Sequence, residues 1–359
     1  MLSQLFKKQT PMMVGIDIGS HSVKAVLLSK QHERYTVEAF AVEPMPKGVV
    51  SEREIQDIDA VASVIAKVRK KIPKNVQYAV AAVSGSTVIS KVIYMDVNLN
   101  DEDLAGQIEI EADSLIPYPL NEVSLDFEKL CVNEADPSKV NVLLSAARTE
   151  SIEARVETLE SGGFEAKVID VECFALSRAG GLCLSQIDKD EQNKVIGLID
   201  IGANMTLFTV IANSEGIYSR DQMFGGDQYT QSIVAYYNKS FEEAERAKVT
   251  NDMPPNYTFE VLAPFQTMLL QQVRRAIQMF VTTSGKDNLD YIIVSGGSSL
   301  IEGIDQLLIE ELGIHTVVAN PFVNMDIGAG INQEQLQKQQ SQLVVACGLA
   351  LRSFVEWHI

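Results

Sequence analysis

Val14–Leu28 reads VGIDIGSHSVKAVLL. Val14, Ile16 and Ile18 alternate with Gly15, Asp17 and Gly19, and after Ser20, His21 and Ser22 the apolar pattern resumes at Val23. Two nearly apolar arms about a short polar turn spell a β-hairpin whose strands are covered on both faces. The first arm holds one acid, Asp17, and the turn holds glycine and hydroxyls. Such a turn aims several backbone N–H groups at one point, which suits a phosphate chain. A carboxylate cannot face that anion directly, so Asp17 is expected to act through a hydrated Mg²⁺. Taken alone, the stretch leaves an ordinary hairpin with a capping acid equally open.

The pattern recurs. GLIDIGANMTLFTV at Gly197–Val210 puts Asp200 where Asp17 stood, followed by the turn residues Gly202, Ala203 and Asn204 and then Thr206. Two such hairpins in opposite halves of the chain imply two similar α/β halves facing each other across a cleft. A third stretch, IIVSGGSS at Ile292–Ser299, is an apolar strand opening into Gly296, Gly297 and Ser298. In this order the three stretches resemble the first phosphate, second phosphate and adenosine motifs of the actin/Hsp70/sugar-kinase nucleotide-binding superfamily.

The resemblance implies an α/β protein with two actin-like (ribonuclease H-like) halves and ATP and Mg²⁺ between them. It implies that Asp17 and Asp200 hold metal-bound water, and that Gly19, Ser20, Ser22 and Lys24 meet the phosphates. His21 is left as either a phosphate donor or a solvent-facing side chain. Gly202, Ala203, Asn204 and Thr206 would form the second phosphate turn, with Gly225 and Gly226 beside it at the foot of a helix. Glu245 and Lys248 would contact ribose and adenine, and Gly296, Gly297 and Ser298 would let the backbone approach the adenosine. Lys24 also has a reading of its own: alternation turns it away from Val23 and Ala25, and a lone cation in a central strand is costly unless an anion neutralises it.

The totals fit such a molecule. A length of 359 residues allows two full cores, and 46% hydrophobic residues is the content of an ordinary folded protein. The net charge of −18 argues against nucleic acid or an anionic membrane as the main partner and suits a basic peptide better. No apolar run reaches the roughly 20 residues of a membrane span, and no secretory signal is present. Leu2, Leu5, Phe6, Lys7 and Lys8 make a weak membrane contact, so Met1–Met13 reads as a frayed leader. Cys131, Cys173, Cys183 and Cys347 lie in apolar contexts without paired spacing, and are expected to be reduced core residues of a cytoplasmic protein with no zinc site.

From Val88 the chain spells a β-α-β-β-α unit. A strand over Val88–Tyr94 precedes a helix capped by Asn100, with Leu104, Ile108, Ala112 and Leu115 inward. Strands over Val123–Leu130 and Val140–Ala147 follow, then a helix capped by Thr149 and carrying Ile152, Val156 and Leu159, stopped by Gly162 and Gly163. This insertion resembles the alternative subdomain of FtsA and of the PilM family, actin-like cytoplasmic proteins of the type IV pilus inner-membrane assembly platform. IEADSLIPYP at Ile110–Pro119, with Val123 and Asp126 beyond, and IDVECFAL at Ile169–Leu176 carry the PilM resemblance. The second of these enters a helix that crosses between the halves. Further on, the spacing predicts a long helix over Phe265–Ser284 with Met268, Leu269, Val273, Ile277 and Phe280 inward. Leu343–Val355 reads as a second interdomain helix, where Ala346, Gly348 and Ala350 permit close contact.

The expected division is a first half over 1–87, the inserted subdomain over 88–166, the crossing helix over 167–185, a second half over 186–342 with a nucleotide-capping part at 223–285, and a returning helix at 343–359. The PilM resemblance implies an ATP-binding scaffold at the cytoplasmic face of the inner membrane. It would recruit the N-terminal cytoplasmic tail of PilN in a groove beside the insertion, with Ile116 and Tyr118 on its wall. It leaves other platform proteins, motor ATPases and homo-oligomers open as partners. Hydrolysis is expected to be slow or absent, because the crossing helix offers Asp170 and Glu172 where actin uses glutamine, and Ala203-Asn204-Met205 is bulky for a phosphate turn. Two alternatives stand: an FtsA-like division tether, against which the sequence ends at Ile359 with no basic amphipathic tail, and a small-molecule kinase.

Overall fold

The computed structural model describes residues 11–84, 87–187, 194–213, 215–286 and 288–355. Most of the expected leader and most of the linker before the second hairpin lie outside the described residues, while Met13, counted with that leader, is buried as the first residue of a strand. β1 (Met13–Ile18), β2 (Ser22–Gln31) and β3 (Arg34–Pro44) form an antiparallel meander. A small ribbon of β4 (Val50–Ser51) and β5 (Glu54–Ile55) leads to α1 (Ile58–Arg69), capped by the Asp57 side chain. β6 (Tyr78–Val83) then lies parallel to β1. The insertion comprises β7 (Val88–Asp96), α2 (Asp101–Leu115), β8 (Val123–Val132) and β9 (Lys139–Arg148), and its sheet runs β7-β9-β8. α3 (Thr149–Ser161), β10 (Glu165–Val171) and α4 (Glu172–Cys183) return to the first half.

The second half repeats the plan with β11 (Val195–Ile201), β12 (Thr206–Ala212) and β13 (Glu215–Gln222). α5 (Gly226–Tyr237), α6 (Phe241–Thr250) and α7 (Ala263–Ser284) precede β14 (Tyr291–Ser295), which lies parallel to β11 as β6 does to β1. α8 (Ile304–Leu312) and β15 (His315–Val318) complete this sheet. β16 (Asp326–Ile327) crosses back to pair with β3, and α9 (Gln333–Gln339) and α10 (Val344–Ala350) end the described fold. The sheet orders are β10-β6-β1-β2-β3-β16 and β13-β12-β11-β14-β15, with each hairpin near the middle.

Burial arranges these elements in layers. One core fills the space between the sheets, where α4 and α10 bring Leu176, Ala179, Ala346 and Leu349 against Val26 and Val80 on one side and Leu198 and Ile293 on the other. A second core lies under α1 and a third under α5, α7 and α8. The insertion has its own, built from Leu104, Ile108, Ala112 and Ile116 against Val142 and Leu144. Apolar strands covered on both faces follow from this sandwich. α10 fits because it is small: a Cβ on Gly348 would lie 1.8 Å from the Ala175 carbonyl oxygen, and one on Gly15 would lie 2.2 Å from that of Ala346.

Several expectations are corrected. α3 packs mainly on the first half and touches the insertion only at its start: Leu159 is buried in the core under α1, and a Cβ on Gly162 would meet the Ile65 side chain at 2.4 Å. Thr149 does not cap α3, because β9 runs straight into the helix, Arg148 takes the cap position, and the Thr149 hydroxyl pairs with Ser124. Cys131 is exposed near the end of β8, so only three cysteines are core residues. Burial holds those three thiols protonated, Cys173 pushed up to about 11 and Cys183 to about 12. Met268 of α7 is 37% exposed and faces outward.

Candidate functional site

β1 and β2 are antiparallel, and their register sets Asp17 opposite Lys24. Cross-strand partners share a face, so both side chains turn into the same space. Lys24 Nζ donates to Asp17 Oδ2 at 2.9 Å, and both side chains are largely buried. The buried lysine therefore already has an anion, which the sequence reading had assigned to a ligand. The turn between them is tight, with the Gly19 N–H donating to the Ser22 carbonyl at 3.1 Å.

Asp200 occupies the matching place on β11. Its Oδ1 accepts from the Ser295 hydroxyl at 2.7 Å. Burial raises its pKa and the Asp17 charge adds to that, while the Ser295 hydrogen bond, Lys24 and Arg53 oppose it. The Asp17 charge therefore acts on Asp200 across the cleft. Among the described residues no group of three or more His, Cys, Asp or Glu side chains gathers at one point. A Mg²⁺ here would rest on these two carboxylates through water and on ligand oxygens, the usual mode for that ion.

A cavity of about 630 Å³ opens between the halves, within the range of small-molecule sites. Asp17, Gly19, Ser20, His21, Ser22 and Lys24 line one wall; Asp200, Gly202, Ala203 and Asn204 line the facing one. Gly226, Glu245, Lys248, Gly297 and Ser298 also line it. Thr230 ties the side wall, its hydroxyl donating to Glu245 at 2.6 Å and accepting from Lys248 at 2.8 Å. His21 bridges the halves, with Nε2 at 2.9 Å from Asp227 Oδ1 and Nδ1 at 3.8 Å from Glu245 Oε1.

Three expected contacts act behind the wall instead. Thr206 is buried and donates its hydroxyl to the Phe224 carbonyl at 2.7 Å. Gly225 lets α5 approach the second turn, since a Cβ would lie 2.4 Å from the Ala203 carbonyl oxygen. Gly296 has φ 86° and would bring a Cβ to 2.5 Å from the Ile201 carbonyl oxygen. At Gly297 a Cβ would meet nothing within 4 Å, so the ligand side is open there.

Sequence reasoning missed Arg53, which lines the cavity and pairs with Glu172 at the start of α4. No motif marks it, because only the β4–β5 turn delivers it to the cleft. Asp170 is spent on Arg178, with Arg352 at 3.8 Å. On the insertion, Ile116 is buried in the local core and is withdrawn from the expected peptide wall. Tyr118 is 40% exposed, with the Arg148 guanidinium 4.7 Å above its ring, at the seam where β9 enters α3.

The comparisons with known proteins bear on the family and the fold. A family described as type IV pilus assembly protein PilM matches residues 15–354. A solved structure described as the PilM–PilN type IV pilus biogenesis complex superposes with a TM-score of 0.81 at 26% identity, covering 97% of this chain and 100% of that one. The ethanolamine utilization protein EutJ of Carboxydothermus hydrogenoformans shares the fold, with a TM-score of 0.55 at 16% identity over 95% of this chain and 90% of that one. The cell division protein FtsA of Bacillus subtilis is 25% identical over 258 residues, 66% of this chain and 57% of FtsA. The cell shape-determining protein Mbl of the same organism is 23% identical over 176 residues, 39% of this chain and 53% of Mbl. The matches thus span little more than half of these two curated relatives. With its twin hairpins, two-sheet layering and near full-length match, the chain belongs to the PilM family of type IV pilus assembly proteins and has a two-domain actin-like fold.

Proposed function

We propose that this chain binds ATP with Mg²⁺ between its halves and serves as a scaffold for the N-terminal cytoplasmic tail of PilN. The observation that carries the nucleotide reading is the pairing of Asp17 and Asp200, from duplicated hairpins, on opposite walls of one cavity. Asp17 and Asp200 would hold a Mg²⁺, which would supply positive charge to offset the phosphates. Lys24 would then divide its charge between Asp17 and the phosphates, with amides of the Gly19–Ser22 turn beside it. Glu245 and Lys248 belong to the ribose and adenine end, and the open approach at Gly297 suits a flat base.

Turnover is proposed to be slow. Glu172 is held by Arg53 and Asp170 by Arg178, so neither acid is free to position an attacking water. The near full-length likeness to the chain of the PilM–PilN complex supports PilN as the partner. Tyr118 and Arg148 offer a ring and a cation at the seam between insertion and first half, where an extended tail could lie. Among the described residues no helix is long and apolar enough to cross a membrane, so we assign the inner-membrane association to the partner. The test is calorimetric titration of a synthetic PilN tail into the full chain, with and without Mg·ATP. Binding that Mg·ATP strengthens or weakens is expected; no binding in either state overturns the scaffold reading.

A further inference from the structure

The cleft contains one cation that no sequence motif announces. Glu52 and Arg53 form the tip of the β4–β5 ribbon with φ of 49° and 65°, left-handed values at two consecutive non-glycine residues. That is the backbone of the tight primed turn a two-residue hairpin needs, and here it is held against steric preference. The Arg53 side chain is only 15% exposed and pairs through Nη1 with Glu172. It lines the cleft together with Asp17 and Asp200. Its Nε is buried and makes no hydrogen bond among the described residues, although buried donors are nearly always paired.

The backbone of the same residue is clamped from behind. The Arg53 carbonyl accepts from Arg155 Nη2 at 2.6 Å. Arg155 is almost fully buried on α3 and also donates from Nε to the Ala82 carbonyl at 2.6 Å. Glu54 accepts from the Ser151 hydroxyl at 2.9 Å, one turn earlier on α3. α3 begins where β9, the central strand of the inserted sheet, ends. One short run of contacts therefore joins the floor of the cleft to the insertion.

We propose that Arg53 recognises the terminal phosphate of a bound nucleoside triphosphate, and that its clamp on Arg155 passes that contact to α3 and the inserted sheet. The proposal rests on the nucleotide reading of the cleft. A guanidinium carries five donors in a fixed fork, so Glu172 can keep one edge while a small turn of the side chain offers the remaining donors to a phosphate. Asp17 and Asp200 would hold the metal, and Arg53 lines the same cavity, close enough for its charge to act on Asp200. A diphosphate would leave Arg53 with Glu172 alone. The rival role, a strut fastening the ribbon to α4, would alter stability without altering the choice between nucleotides.

The experiment titrates the full chain, with Mg²⁺, against ADP and against an ATP analogue whose β and γ phosphorus atoms are bridged by an imido group. The variants are Arg53→Gly, which suits the left-handed backbone and keeps the turn, and Arg53→Lys. Arg53→Gly is expected to lose about tenfold or more in affinity for the analogue, the scale of a charge-assisted hydrogen bond. Its affinity for ADP should change by less than about twofold, and Arg53→Lys should fall between. Hydrogen exchange across Lys139–Arg148 should slow when the parent binds the analogue but not when Arg53→Gly does. Equal losses for both nucleotides, or none, overturn the phosphate role. Analogue discrimination with unchanged exchange overturns the link to the insertion. A parent that binds neither nucleotide sinks the cleft reading itself, an outcome distinct from failure at Arg53.

Discussion

Asp200 and Lys24 make opposite contributions to the stability of the fold, and substitution should expose the difference. Burial holds the Asp200 pKa above its usual 3.8, so the native state binds more protons than the unfolded chain between 3.8 and the raised value. Stability therefore falls as pH rises through that window, so charging this carboxylate is a cost to the fold. Asp200→Asn should raise the melting temperature of the free protein at pH 7 while weakening Mg·ATP binding. A lower melting temperature would contradict the assigned cause of the shift. Lys24→Ala should do the reverse to stability, because it leaves Asp17 mostly buried without its 2.9 Å partner. Urea unfolding should show a loss of about 3 kcal/mol, the low end for breaking a buried pair.

The legibility of these residues followed strand geometry. Asp17, Lys24 and Asp200 could be placed because alternation and hairpin register fix a side chain's face. The same rule explains the miss at Thr206, which pairs with Ile201 and so turns with it into the core under α5. Ile116 was misread because the α2 stripe runs on at a spacing of four, through Leu104, Ile108 and Ala112 to Ile116. Arg53 was not legible at all, since its place depends on a turn joining two-residue strands.

Among elements, α10 is the most constrained. It lies between both sheets with every residue from Val344 to Ala350 buried. Gly348→Ala would drive a Cβ into the Ala175 backbone, so urea unfolding should show a loss of about 3 kcal/mol or more, at the upper end for overpacking. Gly181 on α4 is the control, because a Cβ there meets nothing within 4 Å. Gly181→Ala should stabilise by about 0.5–1 kcal/mol through helix propensity and the unfolded chain. Equal effects at the two sites would contradict the packing described for these helices. The existence and type of α2 and α7 could be read from a cap and from periodicity. The allegiance of α3 could not, because three of its four buried residues, Ser151, Arg155 and Thr158, are polar. They are buried by hydrogen bonds to the β4–β5 ribbon and to helix carbonyls, which leave no hydrophobic signature.

At the scale of the molecule, contacts other than the shared core also join the halves around the cleft. His21 reaches Asp227 and Glu245, the Lys47 ammonium lies 3.6 Å from the centroid of the Phe241 ring, and Ser84 donates to Asp221 at 3.1 Å. A ligand that inserts between these groups changes how the halves are held, which is how a nucleotide could bias a scaffold without being consumed. Steady-state ATP hydrolysis should accordingly stay below about 1 per second, the slow end for enzymes. Faster turnover would favour a true ATPase. Duplication of the hairpin made the two-half plan visible in the sequence. The layering did not follow from it, since only packing shows that α4 and α10 share one core with both sheets.

The central claim is that twin acids from twin hairpins make one Mg·ATP site. Isothermal titration of ATP into the full chain, with Mg²⁺ and then with excess EDTA, tests it most directly when repeated on Asp17→Ala and Lys24→Ala. The expected result is one ATP per chain with Mg²⁺, much weaker binding without it, and weakened binding in both variants. No heat from Mg·ATP, or variants that bind like the parent, would contradict the assignment of this cleft.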